Sequence, residues 1–173
     1  MLPIEHFLLA AIPICAYVYL RDRHISLRLV AVVFVGSQFP DLIDKPLAHM
    51  FHLIPTGRVF AHSLPIAIPI WIVVLAYGWW TDRIRLSAAF VVAYLSHLLG
   101  DNYRALLPPD PHIPSDLLWP FRPPIPRSEV PHWAGPESIN IYLWTSFSFV
   151  VLSITAYYLL VDLRTQLSES QIE

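Results

Sequence analysis

The chain contains few charged residues, few glycines and only one cysteine. Only 14% of its 173 residues are charged and 55% are hydrophobic, whereas globular proteins average roughly 25% charged residues. A single cysteine, Cys15, excludes an internal disulfide framework. The net charge of -2 provides no basic surface for nucleic acid. Together with a mean hydropathy of +0.52, this composition predicts a membrane protein.

Five hydrophobic stretches predict an all-α, polytopic membrane bundle of about five transmembrane helices. A spanning helix needs about 20 mainly apolar residues, and the second and fourth stretches are short for a full span. The first stretch follows no basic region and contains no small-residue cleavage site, so we expect it to be retained. The five stretches are residues 4–20, 27–39, 64–80, 86–99 and 139–161.

A proline-rich segment separates the fourth and fifth hydrophobic stretches. Residues 102–138 hold 10 of the 17 prolines, and because proline lacks a backbone donor this segment is predicted to be a loop. Trp119, Phe121 and Trp133 are expected to anchor the loop, so that it covers one face of the bundle. We expect one membrane-embedded domain over residues 1–173, with core motifs at 1–125, this loop at 102–138, a last helix at 139–161 and a polar tail at 162–173.

Ionisable residues occur at helix ends that are expected to share one membrane face. Successive helices run in opposite directions, so the start of the first helix, the end of the second, the start of the third and the end of the fourth meet. His97 and Asp101 are four residues apart and share a helix face, as do Asp41 and Asp44 after Pro40, which is expected to open a new turn. The residues at these ends are His6, Asp41, Asp44, His62, His97 and Asp101.

Imidazoles and carboxylates in this combination predict a site for a divalent metal, most simply zinc or manganese, in a number that the sequence leaves open. Insertion scales assign about 2.5–3.5 kcal/mol to one aspartate at the centre of a membrane helix. A divalent cation would neutralise this charge and would lower the pKa of a bound water. The predicted metal ligands are His6, Asp41, Asp44, His62, His97 and Asp101.

Three residues are predicted to take part in catalysis. Asp44 and His62 combine metal binding with proton transfer. Arg58 precedes His62 by four residues and is suited to bind a phosphate or a carboxylate through two hydrogen bonds.

Simpler structural roles for the same residues remain open. His62 can be the approach to an N-cap at Ser63, His97 can hydrogen-bond to Asp101 between turns, and Arg58 can pair with a lipid headgroup. The other histidines considered fall in loops and are expected to face solvent: His49, His52, His112 and His132.

The distribution of basic residues predicts the orientation in the membrane. Six of the eleven lysines and arginines lie close to the helix ends on the side of the C-terminus. This favours a cytoplasmic C-terminus and an external N-terminus, so the ionisable cluster is expected on the extracytoplasmic face. The six are Arg21, Arg23, Arg28, Arg83, Arg85 and Arg164.

The motifs "PDLID", "RVFAHS", "YLSHLLGD" and "LLWPF" occur in this order. Their order and spacing resemble the YdjM-like family of inner-membrane metal-dependent hydrolases, over residues 1–125. The resemblance implies a small helical protein of the inner membrane with a divalent-metal hydrolase site, and an N-terminal histidine that His6 matches. The HxxxD element is also similar to that of zinc-dependent phospholipases C, which implies a phosphoester or lipid substrate. One position departs from the family pattern, because Gly57 stands where the family has a histidine. His49 and His52 are the candidates to take the place of that histidine.

The most direct functional hypothesis is a membrane-embedded metal-dependent hydrolase. It would act on a membrane lipid or another small interfacial phosphoester through a metal-activated water. One alternative is a metal-independent enzyme similar to type-2 phosphatidic-acid phosphatases, although their K-x6-R-P element is missing. Another is a membrane scaffold, transporter or ion-binding protein. The sequence predicts no nucleic-acid partner and leaves the oligomeric state open.

Overall fold

The computed structural model describes residues 3–22, 24–109, 111–124 and 139–169. Over these residues the chain is all-helical and contains no strand, which confirms the predicted fold class. A π-helical turn (Pro46–Met50) continues the second helix, and a 3₁₀ turn (Ser115–Leu118) lies in the proline-rich segment. The five long helices are α1 (Pro3–Asp22), α2 (Leu27–Lys45), α3 (Leu64–Trp80), α4 (Ile84–Leu106) and α5 (Ile139–Glu169).

Three helices within the described residues are long and apolar enough to cross a membrane: Pro3–Arg21, Ile84–Leu106 and Tyr142–Thr165. The predicted count of about five transmembrane helices is therefore too high by this criterion. Helix α3 is apolar, but its 17 residues extend only about 25 Å, less than the hydrocarbon core of about 30 Å. Helix α2 has 19 residues, but polar and charged side chains crowd its C-terminal end.

Helix α2 continues through Pro40 to Lys45, so the expected end at residue 39 and the new turn at Pro40 are corrected. Ser26 begins the helix, and its Oγ accepts a hydrogen bond of 3.2 Å from the backbone N–H of Leu29. Pro40 cannot donate to the carbonyl of Gly36, yet the helix persists because tertiary packing supports it. As a result, Asp41 lies on a regular helix.

Small residues bring α1, α2 and α4 close together around α2. One buried cluster joins Ala10 of α1, Val33 of α2 and Ala93 of α4. At Gly36 the approach is so close that an added β-carbon would lie 2.7 Å from the carbonyl oxygen of Phe90. Such small-residue contacts are typical of helices that pack within membranes. Helix α3 packs on the other side of α4, and α5 contacts α2 and the π-helical turn.

Large apolar side chains cover the outside of the bundle. Ile12 of α1 is 65% exposed and Leu160 of α5 is 58% exposed. Exposure of this kind on several helices is expected where lipid rather than water surrounds the protein.

The described part of the proline-rich segment packs beside the start of α3. Helix α4 runs to Leu106, so the first residues of the predicted loop are helical. Trp119 contacts Phe60 edge to face, with 6.2 Å between ring centroids, and it is therefore an anchor as predicted. Phe121 is 83% exposed and is not an anchor. Trp133 lies outside the described residues, so covering of the whole face stays a prediction.

Candidate metal centre

The six predicted metal ligands come from four chain segments that meet at one end of the bundle. The residues occur in the second turn of α1, the last turns of α2, the segment before α3 and the last turns of α4. None of the six side chains is more than 3% exposed. They are His6, Asp41, Asp44, His62, His97 and Asp101.

The Nε2 atoms of two imidazoles approach the same two carboxylates. The Nε2 atom of His62 lies 3.1 Å from Nε2 of His97, and 3.6 Å from both Oδ1 of Asp41 and Oδ2 of Asp101. The Nε2 atom of His97 lies 3.9 Å from the same oxygen of Asp41 and 3.8 Å from that of Asp101. Two ligands of one zinc ion, each at about 2.0–2.2 Å, stand about 3–3.6 Å apart, so the distances from His62 match those between ligands of one ion and the distances from His97 are slightly longer.

His6 completes the cluster from α1. Its Nε2 atom lies 3.3 Å from Oδ1 of Asp101, and its ring stacks on that of His97 with 3.8 Å between centroids. Within the described chain, two sets of three residues have ligand atoms within 4.8 Å of one another. The two sets share His97: one adds His6 and Asp41, and the other adds His62 and Asp101.

Asp44 lies behind His62 instead of among the converging atoms. Its Oδ2 atom is 2.8 Å from Nδ1 of His62, and its Oδ1 atom accepts a 2.7 Å hydrogen bond from the backbone N–H of Ala61. His97 is held in the same manner, because its Nδ1 atom lies 2.6 Å from the carbonyl oxygen of Ser37. An imidazole that binds a metal usually donates its other N–H to a carboxylate or carbonyl, which fixes the tautomer.

The chain before α3 is positioned through the peptide of Ala61. Asp44 accepts from its N–H group, and the hydroxyl of Tyr94 on α4 donates to its carbonyl oxygen. Ala61 and the neighbouring Val59 are fully buried. The segment that carries His62 is therefore fixed between α2 and α4 although it is not helical.

Two cations border the cluster. The Nε atom of Arg58 lies 3.2 Å from Oδ2 of Asp101, and the arginine side chain remains 34% exposed. The Nζ atom of Lys45 lies 2.5 Å from Oδ2 of Asp41 and 4.5 Å from the centre of the Trp144 ring. Lys45 is an addition to the predicted site, and its position four residues after Asp41 is the sequence signal for this ion pair.

His62 lies outside the candidate spans and has a perturbed pKa. Burial alone would lower the pKa of its imidazole. Hydrogen bonds with Asp101 and Asp44, and the charge of Asp41, outweigh burial and raise the pKa of His62 to about 9. Without a metal, this histidine therefore carries a proton at neutral pH and offsets the nearby carboxylates.

His49 occupies the space beside Gly57. A β-carbon added to Gly57 would lie 2.9 Å from the Nε2 atom of His49. The expectation that His49 faces solvent is corrected, because it is only partly exposed, and burial and the nearby charge of Lys45 lower its pKa. His52 and His112 are exposed as predicted, while His132 lies outside the described residues. Of the two candidates to replace the family histidine, His49 is the one that adjoins Gly57.

Apolar helices that could cross a membrane and a buried histidine–aspartate cluster define a helical membrane protein with a candidate metal centre. The family model described as YdjM inner membrane protein matches residues 1–166, so this chain belongs to that family. The resemblance noted from the motifs is thereby confirmed, and the match extends beyond residue 125 into α5. No curated protein and no solved structure matches the chain.

Proposed function

We propose that this protein is a membrane-embedded metal-dependent hydrolase that acts on a lipid or another interfacial phosphoester. The observation that supports this most directly is the convergence of one ligand atom each from His62, His97, Asp41 and Asp101, with His6 beside them. Zinc and manganese are the ions that a mixed imidazole and carboxylate set favours.

The charges of the buried cluster fit a divalent cation. Asp41, Asp44 and Asp101 carry three negative charges when ionised, while Lys45 and Arg58 carry two positive charges. With neutral histidines these charges leave one negative charge, and in the metal-free protein the proton on His62 balances it. A divalent cation that displaces this proton would take over the compensation and leave one net positive charge for an anionic substrate.

Bound in this cluster, the ion would polarise a phosphoryl oxygen and acidify a water molecule to make a nucleophile at neutral pH. The residues of the chain have separate tasks. Asp44 fixes the tautomer and orientation of His62, and the carbonyl of Ser37 does so for His97. Lys45 holds one oxygen of Asp41, so that the other oxygen faces the cluster. A carboxylate of the cluster is the expected acceptor for the proton of the water.

Arg58 is suited to bind the phosphate of the substrate. Its Nε atom pairs with Asp101, and the side chain is one-third exposed at the rim of the cluster. A guanidinium group presents several N–H donors in a plane and can therefore bind a phosphate through its Nη atoms while Nε keeps this ion pair.

Metal analysis of the purified protein tests the proposed ligands. We expect bound zinc or manganese in the wild type, and loss of most of it in Asp41→Ala and His97→Ala. Asp44→Asn should retain the site with about 10–100-fold weaker metal affinity, because it alters only the support of His62. Asp162→Ala is a matched control, since Asp162 pairs with Arg83 away from the cluster. Equal metal content in the wild type, Asp41→Ala and His97→Ala would exclude the proposal.

Chelation separates this proposal from a phosphatase that uses a histidine nucleophile without metal. Hydrolysis of a lipid phosphate should stop with EDTA and return with zinc or manganese. Hydrolysis that continues under EDTA would instead support the metal-independent enzyme.

Ser148 and Thr155 of α5 give no support to a transporter. Ser148 donates to the carbonyl of Trp144 at 2.9 Å, and Thr155 donates to that of Val151 at 2.8 Å. Both hydroxyls are thus satisfied within their own helix. Neither extends the polar cluster toward the opposite end of the bundle.

A further inference from the structure

An apolar cavity of about 570 Å³ lies between α1, α2 and α5. Its wall includes Ile4 and Phe7 of α1, Phe34 of α2, and Phe147 of α5. Ligand pockets in proteins typically enclose about 300–1,000 Å³. The cavity is therefore large enough for a substantial part of a small amphiphile.

The cavity borders two of the helices that are apolar enough to cross a membrane. Ile4 on α1 is 58% exposed and Leu143 on α5 is 61% exposed, and both line the cavity. A ligand that enters between them comes from the side that lipid covers. A hydrocarbon chain is the ligand that matches both this route and the aromatic wall.

One buried polar side chain, Gln38, belongs to the wall of this cavity. It is 1% exposed, and its Nε2 atom donates to the carbonyl of Pro3 at 2.9 Å and to Oγ of Ser37 at 3.2 Å. These two acceptors fix the orientation of the amide. Its Oε1 atom has no hydrogen-bond partner among the residues that the structure describes. An unsatisfied buried acceptor is unfavourable, and a ligand with a hydroxyl or amide donor would offset this cost.

The cavity adjoins the candidate metal centre. Trp144 lines the cavity, and its indole N–H donates to the backbone carbonyl of Asp41 at 3.4 Å. Gln38 precedes Asp41 by three residues on the same helix. Its neighbour Ser37 supplies the carbonyl that contacts His97. A chain in the cavity would therefore hold its polar end beside the centre.

We propose that this cavity holds the hydrocarbon chain of the substrate, and that the substrate is a single-chain glycerol phosphate whose free hydroxyl donates to Gln38. One cavity accommodates one chain, and the unused acceptor calls for a donor next to that chain. Arg58, at the rim of the histidine–aspartate cluster, supplies positive charge for the phosphate. A diacyl lipid has esters at both of the corresponding positions and offers no such donor. This inference rests on the proposed hydrolase function and specifies its substrate.

Photocrosslinking tests the site. The probe is an acyl glycerol phosphate with a diazirine in its acyl chain, added to the metal-loaded protein in phosphatidylcholine nanodiscs. Peptide mapping should locate the crosslinks in the segments that contain Phe7 and Phe147. Excess unlabelled acyl glycerol phosphate should reduce labelling at least tenfold, whereas diacyl phosphatidic acid should compete weakly.

Two variants and a matched control sharpen the result. Ile4→Trp places a large ring at the cavity and should abolish most labelling, while Ile12→Trp makes the same change at an exposed position of α1 that does not line the cavity. Gln38→Met should weaken binding of the hydroxyl lipid by about two- to tenfold, the value of one hydrogen bond. The same substitution should leave binding of the analogue that lacks the free hydroxyl unchanged.

The outcomes separate this inference from the proposed function. Labelling that resists competition and persists in Ile4→Trp means that the cavity holds bulk lipid only, which overturns the inference. Stronger competition by diacyl phosphatidic acid than by the single-chain lipid overturns it as well. Elemental analysis of the same samples reports on the metal centre independently. Specific labelling of a protein that binds no metal would support the lipid site and remove the hydrolase. Bound metal together with labelling that unlabelled lipid does not reduce would support the metal centre and overturn the lipid site.

Discussion

His62 connects the candidate metal centre to the protonation state of the protein. Carboxylates on two sides raise its pKa to about 9, above the usual value of about 6.5. The protonated form therefore stabilises the folded, metal-free protein. That stabilisation is complete below pH 6.5, and it is lost as the pH rises through 9. The difference between the two pKa values corresponds to a contribution of about 3 kcal/mol to the free energy of unfolding.

Metal binding at neutral pH should release about one proton for each ion, because a histidine ligand must be neutral. Isothermal titration calorimetry at pH 7, in buffers with different ionisation enthalpies, measures this release. The release should disappear above pH 9, and the metal-free protein should there melt at a lower temperature than at pH 7. A binding heat that is independent of the buffer at pH 7 would contradict the assignment of His62 as a ligand.

The ring of His49 fills the space beside Gly57, but its Nε2 atom is the far end of a flexible side chain and can move aside. Gly57→Ala should therefore lower the free energy of unfolding in detergent by only about 1 kcal/mol or less, because the imidazole can rotate away. His49→Ala should suppress that loss when it is combined with Gly57→Ala. A double-mutant cycle measures this coupling, and additive effects of the two substitutions would show that the ring and the glycine do not depend on each other.

The residues of the cluster could be identified from the sequence because ionisable side chains are conspicuous beside apolar helices. Alternating helix directions placed His6, His62 and His97 at one end without any knowledge of side-chain positions. The supporting role of Asp44 could not be identified in this way. Its contacts depend on the path of residues 59–63, which no periodic pattern specifies. Gln38 was missed for the same reason, since its free oxygen is visible only once its neighbours are placed.

At the scale of elements, α2 is central because it contacts α1, α4 and α5 and carries two carboxylates of the site. Its length was underestimated, since Pro40 is commonly a helix breaker. The transmembrane count was overestimated because hydrophobic stretches alone were considered. The sequence predicts helix boundaries only approximately, so it could not specify the charged end of α2 or the shortness of α3.

The contact between α2 and α4 depends on the absence of a side chain at Gly36. Gly36→Ala would bring a β-carbon within 2.7 Å of a backbone oxygen, so the helices must separate. We expect a loss of about 1–3 kcal/mol in stability and a lower metal content, because Asp41 and His97 lie on these two helices. Ala31→Val, at an exposed position of α2, should leave both quantities unchanged. Normal metal content in Gly36→Ala would indicate that the spacing of the helices does not control the site.

At the scale of the whole molecule, the family and the three apolar helices indicate an inner membrane protein. The candidate metal centre lies at one end of the bundle, and the distribution of basic residues predicts that this end is extracytoplasmic.

Labelling of single cysteines tests this orientation in a Cys15→Ser background. Met50→Cys lies just beyond the C-terminal end of α2 near the site, and Leu27→Cys lies at the opposite end of that helix; the native side chains are 37% and 84% exposed. In spheroplasts, a membrane-impermeant maleimide should label Met50→Cys directly. It should label Leu27→Cys only after lysis. The opposite pattern would place the centre on the cytoplasmic side.

The ligands of the centre are separated widely along the chain, from His6 in the first helix to Asp101 at the end of the fourth. A nascent polypeptide cannot assemble the complete set until Asp101 has left the ribosome and α4 has joined its neighbours. Under the proposed function, cation uptake would therefore follow the insertion of α4. An ion bound there would link four segments that lie far apart in the sequence.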